Sequence, residues 1–287
     1  MNNDTIPVPR RRRNLRSRGP VAHGTALLLA LIWAFPAYWM VNSAFKTPDN
    51  LTSVVPQFFP SPISLDAFIR AFQKAGFLTS LGNSLFVAVC VVAASIAIGF
   101  LATAALTRFR FFGRKAILIT ILAIQMIPSI ALLIPLFLTF RDANMLNTYW
   151  ALMLAYLASA LPFSIWVLRG FFQSIPAEID EAARIDGAGD MRVLWSIYFP
   201  LVLPGLISTA VFTFIEAWND YIMAYILLQE QARYTLPVWL VSFNQDTGID
   251  YGGLIAASVM FSIPVVVFFL IVQRNLVAGM SGGAVKG

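Results

Sequence analysis

The chain has 287 residues, 59% of them hydrophobic and only 12% charged, where a soluble domain carries roughly a quarter charged residues. With a mean hydropathy of +0.75 it is expected to live in a bilayer, and its apolar runs are continuous rather than alternating, which excludes a β-barrel. The formal net charge of +6 does not indicate nucleic acid, because the main cluster of cations sits beside an apolar run, where it sets membrane orientation.

Residues 1–20 are polar and carry Arg10 to Arg13, Arg16 and Arg18. They are expected to form a disordered cytoplasmic tail, with 21–287 as the membrane domain. The first apolar run is longer than the roughly 7–15 residues of a signal-peptide core, and no small-x-small site follows it. A spanning helix needs about 20 mostly apolar residues. Six stretches qualify: 25–45, 83–106, 116–140, 148–168, 201–228 and 254–272. The fold class read from them is all-α, a polytopic protein with six transmembrane helices.

Between the first two spans lies a loop with Pro48, Pro56, Pro60 and Pro62. Its stretch 64–77 places Leu65, Phe68, Ile69 and Phe72 near helical spacing, as a surface-lying helix would. The loop 108–115 is short and basic. The loops 141–147 and 229–253 fall on the opposite side. With the N-terminus inside, the inner segments carry fifteen of the twenty Lys and Arg residues and the outer segments five, so the orientation reads N-in, C-in. Pro36, Pro128, Pro135, Pro162, Pro204 and Pro264 fall inside spans. Each removes a helix hydrogen bond and favours a kink. Many kinks together suit a bundle that opens and closes. The lone Cys90 and the lone His23 cannot make a disulfide or a structural zinc site.

The inner loop 171–200 is the anomaly. Five of the fourteen acidic residues crowd into it: Glu178, Asp180, Glu181, Asp186 and Asp190. It reads as two short helices. Ser174 is expected to cap the first, with Pro176 and Glu178 in its opening turn. Glu181 and Arg184 are spaced to pair. Gly187 and Gly189 break the helix. Helix then resumes over 191–199, and Pro200 marks the start of span five. An anionic leaflet would repel so acidic a segment, whereas a protein partner with a matching groove would not.

The ordered residues Glu181-Ala182-Ala183, Gly187 and Ile197-Tyr198-Phe199-Pro200 resemble the EAA loop of ABC importer permeases, with Phe199 where the family usually has Leu. Further matches extend along nearly the whole chain: Phe35-Pro36, Ser43 to Thr47, Leu168-Arg169-Gly170-Phe171-Phe172, Phe214-Ile215 with Trp218-Asn219-Asp220, Thr235-Leu236-Pro237, and the ending Gly283 to Gly287. Together they resemble the maltose-type carbohydrate importers, specifically the shorter, MalG-like permease. The resemblance implies a cytoplasmic coupling helix between spans four and five. Glu181, Ala182, Ala183, Asp186 and Gly187 would serve coupling to an ATPase, with Ala182 and Ala183 allowing close approach. It also implies a second permease, two cytoplasmic ATPase subunits that hold the ATP and Mg, an extracytoplasmic sugar-binding protein, and a cytoplasmic membrane of bacterial or archaeal type. The ending at Gly279 to Gly287 reads either as a flexible tail or as a contact with the ATPase pair.

Polar groups facing lipid are costly, so Glu216, Asn219 and Asp220, and more weakly Gln125, are expected to face the bundle interior or a water-filled path. Trp218 and Tyr221 flank them as possible sugar platforms, or as interfacial anchors. Glu216 and Asp220 read equally as a structural network. As a proton or ion relay they would instead belong to the alternative function, an ion-coupled secondary carrier. A carrier has no need of the acidic inner loop, and no internal repeat is visible. No HExxH or phosphate-binding Gly-Lys-Ser/Thr loop is present and no histidine falls inside a span, so the chain is expected to carry no catalytic site or cofactor of its own and to draw energy from another subunit.

Overall fold

The computed structural model describes residues 20–245 and 248–283. The basic tail and the last four residues lie outside them. The apolar runs fold as helices because continuous Leu, Ile, Val and Phe bury no polar group except the backbone, which the helix itself satisfies. In chain order these are α1 (Pro20–Ala44), the short α2 (Pro48–Leu51), α3 (Asp66–Gln73), α4 (Phe77–Arg108), α5 (Arg114–Gln125), α6 (Leu133–Asp142), α7 (Tyr149–Gln173), α8 (Ala177–Ile185) and α9 (Asp190–Val193). There follow α10 (Phe199–Asn219), α11 (Ile222–Leu227), α12 (Leu236–Leu240), a minimal antiparallel pair β1 (Asn244–Gln245) and β2 (Gly248–Ile249), and α13 (Tyr251–Gly283).

Five of these segments are long and apolar enough to cross a membrane: Val21–Ala44, Phe77–Arg108, Tyr149–Gln173, Asp190–Asn219 and Tyr251–Gln273. The expected third span is not a straight rod. Arg114–Gln125 and Ser129–Asp142 meet at a 96° bend. Pro128 stands at the break in extended backbone, where a proline both withholds its N–H and bars helix from the residue before it. Pro36, Pro162, Pro204 and Pro264 are carried within continuous helices instead.

Span five also departs from expectation. Helix begins at Asp190 and runs on to Asn219, so Pro200 does not mark its start. A π turn, Leu194–Tyr198, lies directly before Pro200, and the Phe199 N–H reaches back to the Leu194 carbonyl. The wider turn accommodates a ring that would clash with a regular helix. The span then ends at Asn219, and 222–227 forms the separate α11.

α4, α7 and α10 pack against one another, α13 lies on α10, and α1 touches α13. Ser95, Gly99 and Thr103 repeat every four residues along α4 and are buried, the small-residue stripe that lets helices approach in lipid. Ser95 Oγ lies 3.0 Å from Ser164 Oγ and 3.5 Å from Thr213 Oγ1, joining all three helices. A Cβ on Gly205 would sit 2.5 Å from the Phe171 ring, so only glycine permits α10 to lie so close to the end of α7.

On the expected outer side, α3 is held rather than free on a surface. Ala67 and Ala71 are buried, and the helix packs on α13, while Leu65, Ile69 and Phe72 remain exposed. Arg70 donates twice to Asp250, at 3.3 Å each. Burial alone would raise the Asp250 carboxyl, but Arg70, the Gly253 N–H and Lys74 outweigh it and hold it below the usual range. A depressed carboxylate stabilises the fold above its unfolded value, about 3.9, and that contribution is lost as pH falls through the lower, folded value. Melting of wild type and Asp250→Asn between pH 7 and 3 should therefore show a constant gap that narrows only below about pH 4.

Candidate functional site

At one end of the bundle, α8 lies beneath α4, α7 and the π turn. Ile175, Ile179 and Ala183 recur every fourth residue and pack on Phe172, Leu168, Val193 and Tyr198. Ala183 is thus buried within the chain and does not face outward, contrary to the reading that paired it with Ala182 on a docking surface. Glu181, Ala182, Asp186 and Gly187 are exposed. So are two apolar residues that the sequence reading passed over, Ile185 at 86% and Met191 at 71%. On α8 the exposed apolar residues are therefore Ala182 and Ile185, among the exposed acids Glu178, Glu181 and Asp186, while Met191, on α9, lines a hollow with Arg108, Asp180 and Arg184.

The ends of α8 differ from expectation. Ser174 does not cap it; its hydroxyl donates to the Phe171 carbonyl at the end of α7. Pro176 occupies the N-cap position, and Glu178 and Asp180 fill the first turn, where negative charge complements the helix dipole. At the other end Gly187 has φ +76°. Its N–H donates to the Arg184 carbonyl, and the Ala188 N–H donates to that of Ala183. This is a Schellman turn, which requires a left-handed residue and favours glycine. The turn brings Asp190 back over the helix, so Arg184 pairs with Asp190 at 2.9 Å rather than with Glu181.

Arg108, at the last turn of α4, ties this assembly together. It donates to Asp180 at 3.1 Å and to the carbonyls of Phe172 and Ile175 at 2.8 and 3.2 Å. Its guanidinium also lies 4.8 Å from the centre of the Tyr198 ring. The Arg108 and Asp180 side chains are only 15% and 21% exposed. One side chain therefore links α4, the end of α7, α8 and the π turn. The sequence offered only its charge at the end of a span, which was read as topology.

The second assembly lies between α5, α6, α7 and α10. A cavity of about 400 Å³ is lined by Gln125, Ser129, Ser159, Glu216 and a mostly apolar wall that includes Phe163 and Phe212. Those two rings stack with centroids 3.8 Å apart. Glu216 accepts a hydrogen bond from the Ser159 hydroxyl. Two expected path residues, Gln125 and Glu216, meet here, 91 residues apart in sequence.

The other expected path residues are engaged elsewhere. Trp218 is fully buried, donates to the Phe261 carbonyl and stacks between Phe214 and Phe261. It is a packing residue between α10 and α13, neither a sugar platform nor an interfacial anchor. Asp220 accepts from the Tyr156 hydroxyl at 3.0 Å and from the N–H groups of Met223 and Ala224, so it caps α11. Asn219 donates to the Ile215 carbonyl within its own helix. Tyr221 stacks on Tyr225.

Residues 95–282 match the family described as "Binding-protein-dependent transport system inner membrane component". The diacetylchitobiose uptake system permease protein DasC of Streptomyces coelicolor is 39% identical, over 92% of this chain and 95% of that one. The trehalose/maltose transport system permease protein MalG of Thermococcus litoralis is 36% identical, over 91% and 95%. Among solved structures, a chain of a bacterial ABC transporter that imports the acidic polysaccharide alginate superposes with a TM-score of 0.78 at 28% identity, covering 90% of this chain and 97% of that one.

Proposed function

The chain belongs to the family of inner membrane components of binding-protein-dependent transport systems, and we propose that it passes a sugar inward across the cytoplasmic membrane as the MalG-like member of a permease pair. It is a transport subunit, and ATP is hydrolysed by separate ATPase subunits. An extracytoplasmic binding protein delivers the sugar to the pair. ATP and Mg belong to the partner ATPases, and this chain supplies no ligand to them.

One observation carries the mechanism: α8 has a buried face fixed to three spans and, among the described residues, an opposite face that stays exposed. The free face, Ala182 and Ile185 among Glu178, Glu181 and Asp186, suits a groove with apolar walls and cationic or N–H donors at its edge. The buried face, through Ala183, Asp180 and Arg108, passes displacement to α4, α7 and the π turn. ATPase closure would thus move the spans around the cavity at Glu216, opening it first to one side and then to the other. The excess of Lys and Arg in the segments on the α8 side supports a cytoplasmic placement of this face, hence N-in, C-in.

The ion-coupled alternative used Glu216 and Asp220 as a relay. Asp220 is committed to Tyr156 and to the α11 N-terminus, which disfavours proton passage between the two. Reconstitution with the second permease, the ATPase pair and the binding protein tests the reading. Uptake should require ATP, and Glu181→Lys should reduce it more than tenfold while the permease pair still inserts. Uptake driven by a proton gradient without ATP, or full uptake by Glu181→Lys, would overturn it.

A further inference from the structure

We propose that Glu216 makes the cavity between α5, α6, α7 and α10 select uncharged, hydroxyl-rich saccharides and reject sugars that carry a carboxylate or sulfonate. The proposal rests on the sugar-permease reading above and adds a charge class to it. Relatives of the same fold serve different substrates, including an acidic polysaccharide, so the fold leaves charge preference open and the side chains decide it.

The cavity lining contains one charged group. Besides Glu216, its polar side chains are Gln125, Ser129 and Ser159, and none of its lining residues is Lys, Arg or His. Glu216 uses one oxygen to accept from Ser159, while Oε2 is buried and has no partner. A desolvated acceptor without a donor is costly. A sugar hydroxyl supplies that donor once the Glu216 carboxylate rotates toward the cavity it lines, and the stacked Phe163 and Phe212 rings offer an apolar wall for the C–H face of a pyranose. The volume, about 400 Å³, falls among ordinary small-molecule sites.

A second anion in the same space meets the opposite situation. At about 6 Å and an effective dielectric of about 20, carboxylate repulsion amounts to a factor of order a hundred in affinity. Asp220, one helical turn along from Glu216, adds to it rather than relieving it. Among the described residues no cation lines the cavity to offset either charge.

The test avoids the binding protein, which has a preference of its own. The importer, assembled from both permeases and the ATPase pair in nanodiscs, is probed by saturation-transfer NMR. The probes are maltose, trehalose, cellobiose and diacetylchitobiose. For every neutral sugar that binds, its 6-carboxylate analogue is then compared. The expected result is that the acid binds at least tenfold more weakly to wild type, and that Glu216→Gln narrows the gap at least fivefold. Equal binding of acid and neutral sugar, an unchanged gap in Glu216→Gln, or no binding by any of the four sugars overturns the proposal. ATP-driven uptake by the complete system is scored separately. Uptake of neutral sugars with an unchanged gap rejects the charge filter alone, whereas absence of any ATP-driven sugar uptake rejects the permease reading itself.

Discussion

Arg108→Ala is expected to cut sugar uptake at least tenfold while ATP hydrolysis by the assembled importer continues. The substitution removes the cation paired with Asp180 and two donors to the carbonyls at the end of α7. Removing one partner of a largely buried pair costs about 3 kcal/mol, and here the loss falls on the joint between α8 and the spans. The proposed ATPase face of α8 keeps its exposed Ala182 and Ile185, neither of which bonds to Arg108. Docking and hydrolysis should therefore persist, and what fails is transmission. Arg108→Lys keeps the charge but cannot fork between three acceptors, so it should recover only part of the uptake. The ratio of sugar moved to ATP hydrolysed is the measurement. A ratio equal to wild type in Arg108→Ala would exclude a transmitting role.

Gly187→Val should abolish uptake for a different reason. Nothing lies within 4 Å of where a Cβ would stand, so crowding within the chain is not the obstacle. The obstacle is φ +76°, which costs an L-residue about 1–2 kcal/mol and a β-branched one more. The strained turn would give up its two hydrogen bonds and release Asp190 from Arg184. α8 would then lose its defined end, and ATPase co-purification should fall together with uptake. Asparagine tolerates the left-handed region, so Gly187→Asn should keep most of the activity, and Gly187→Ala should fall between. If asparagine and valine were equally damaging, the conformational explanation would be wrong and a partner contact would replace it.

Hydropathy alone exposed most of the membrane architecture, because a span is defined by length and apolar content and both can be counted. The 96° bend of the third segment was not countable, since 116–140 is as apolar as a straight span. Only Pro128 hinted at it, and five other prolines in spans gave the same hint without breaking their helices. Local pairing failed in an instructive way. Glu181 and Arg184 have helical spacing, but the turn at Gly187 offers Arg184 a nearer acid in Asp190. Trp218 stood beside Asn219 and Asp220 in sequence and shared their polar interpretation, yet helical rotation turns its ring into the interface with α13. Arg108 was least legible of all. Its partner Asp180 is 72 residues away, and no periodicity connects the two.

The π turn before Pro200 lets one helix continue from the exposed Met191 to Glu216 in the cavity. At 1.5 Å per residue that is roughly 35–40 Å of backbone with no loop in it. On the function proposed above, a body this continuous would bind two ligands, a protein at one end and a sugar at the other, and thermodynamics would then tie them. Whatever factor the ATPase imposes on sugar affinity, the sugar imposes on ATPase docking. An occupied cavity would in that sense be a message to the ATPase, sent with no chemistry and by the same helix that lines the cavity.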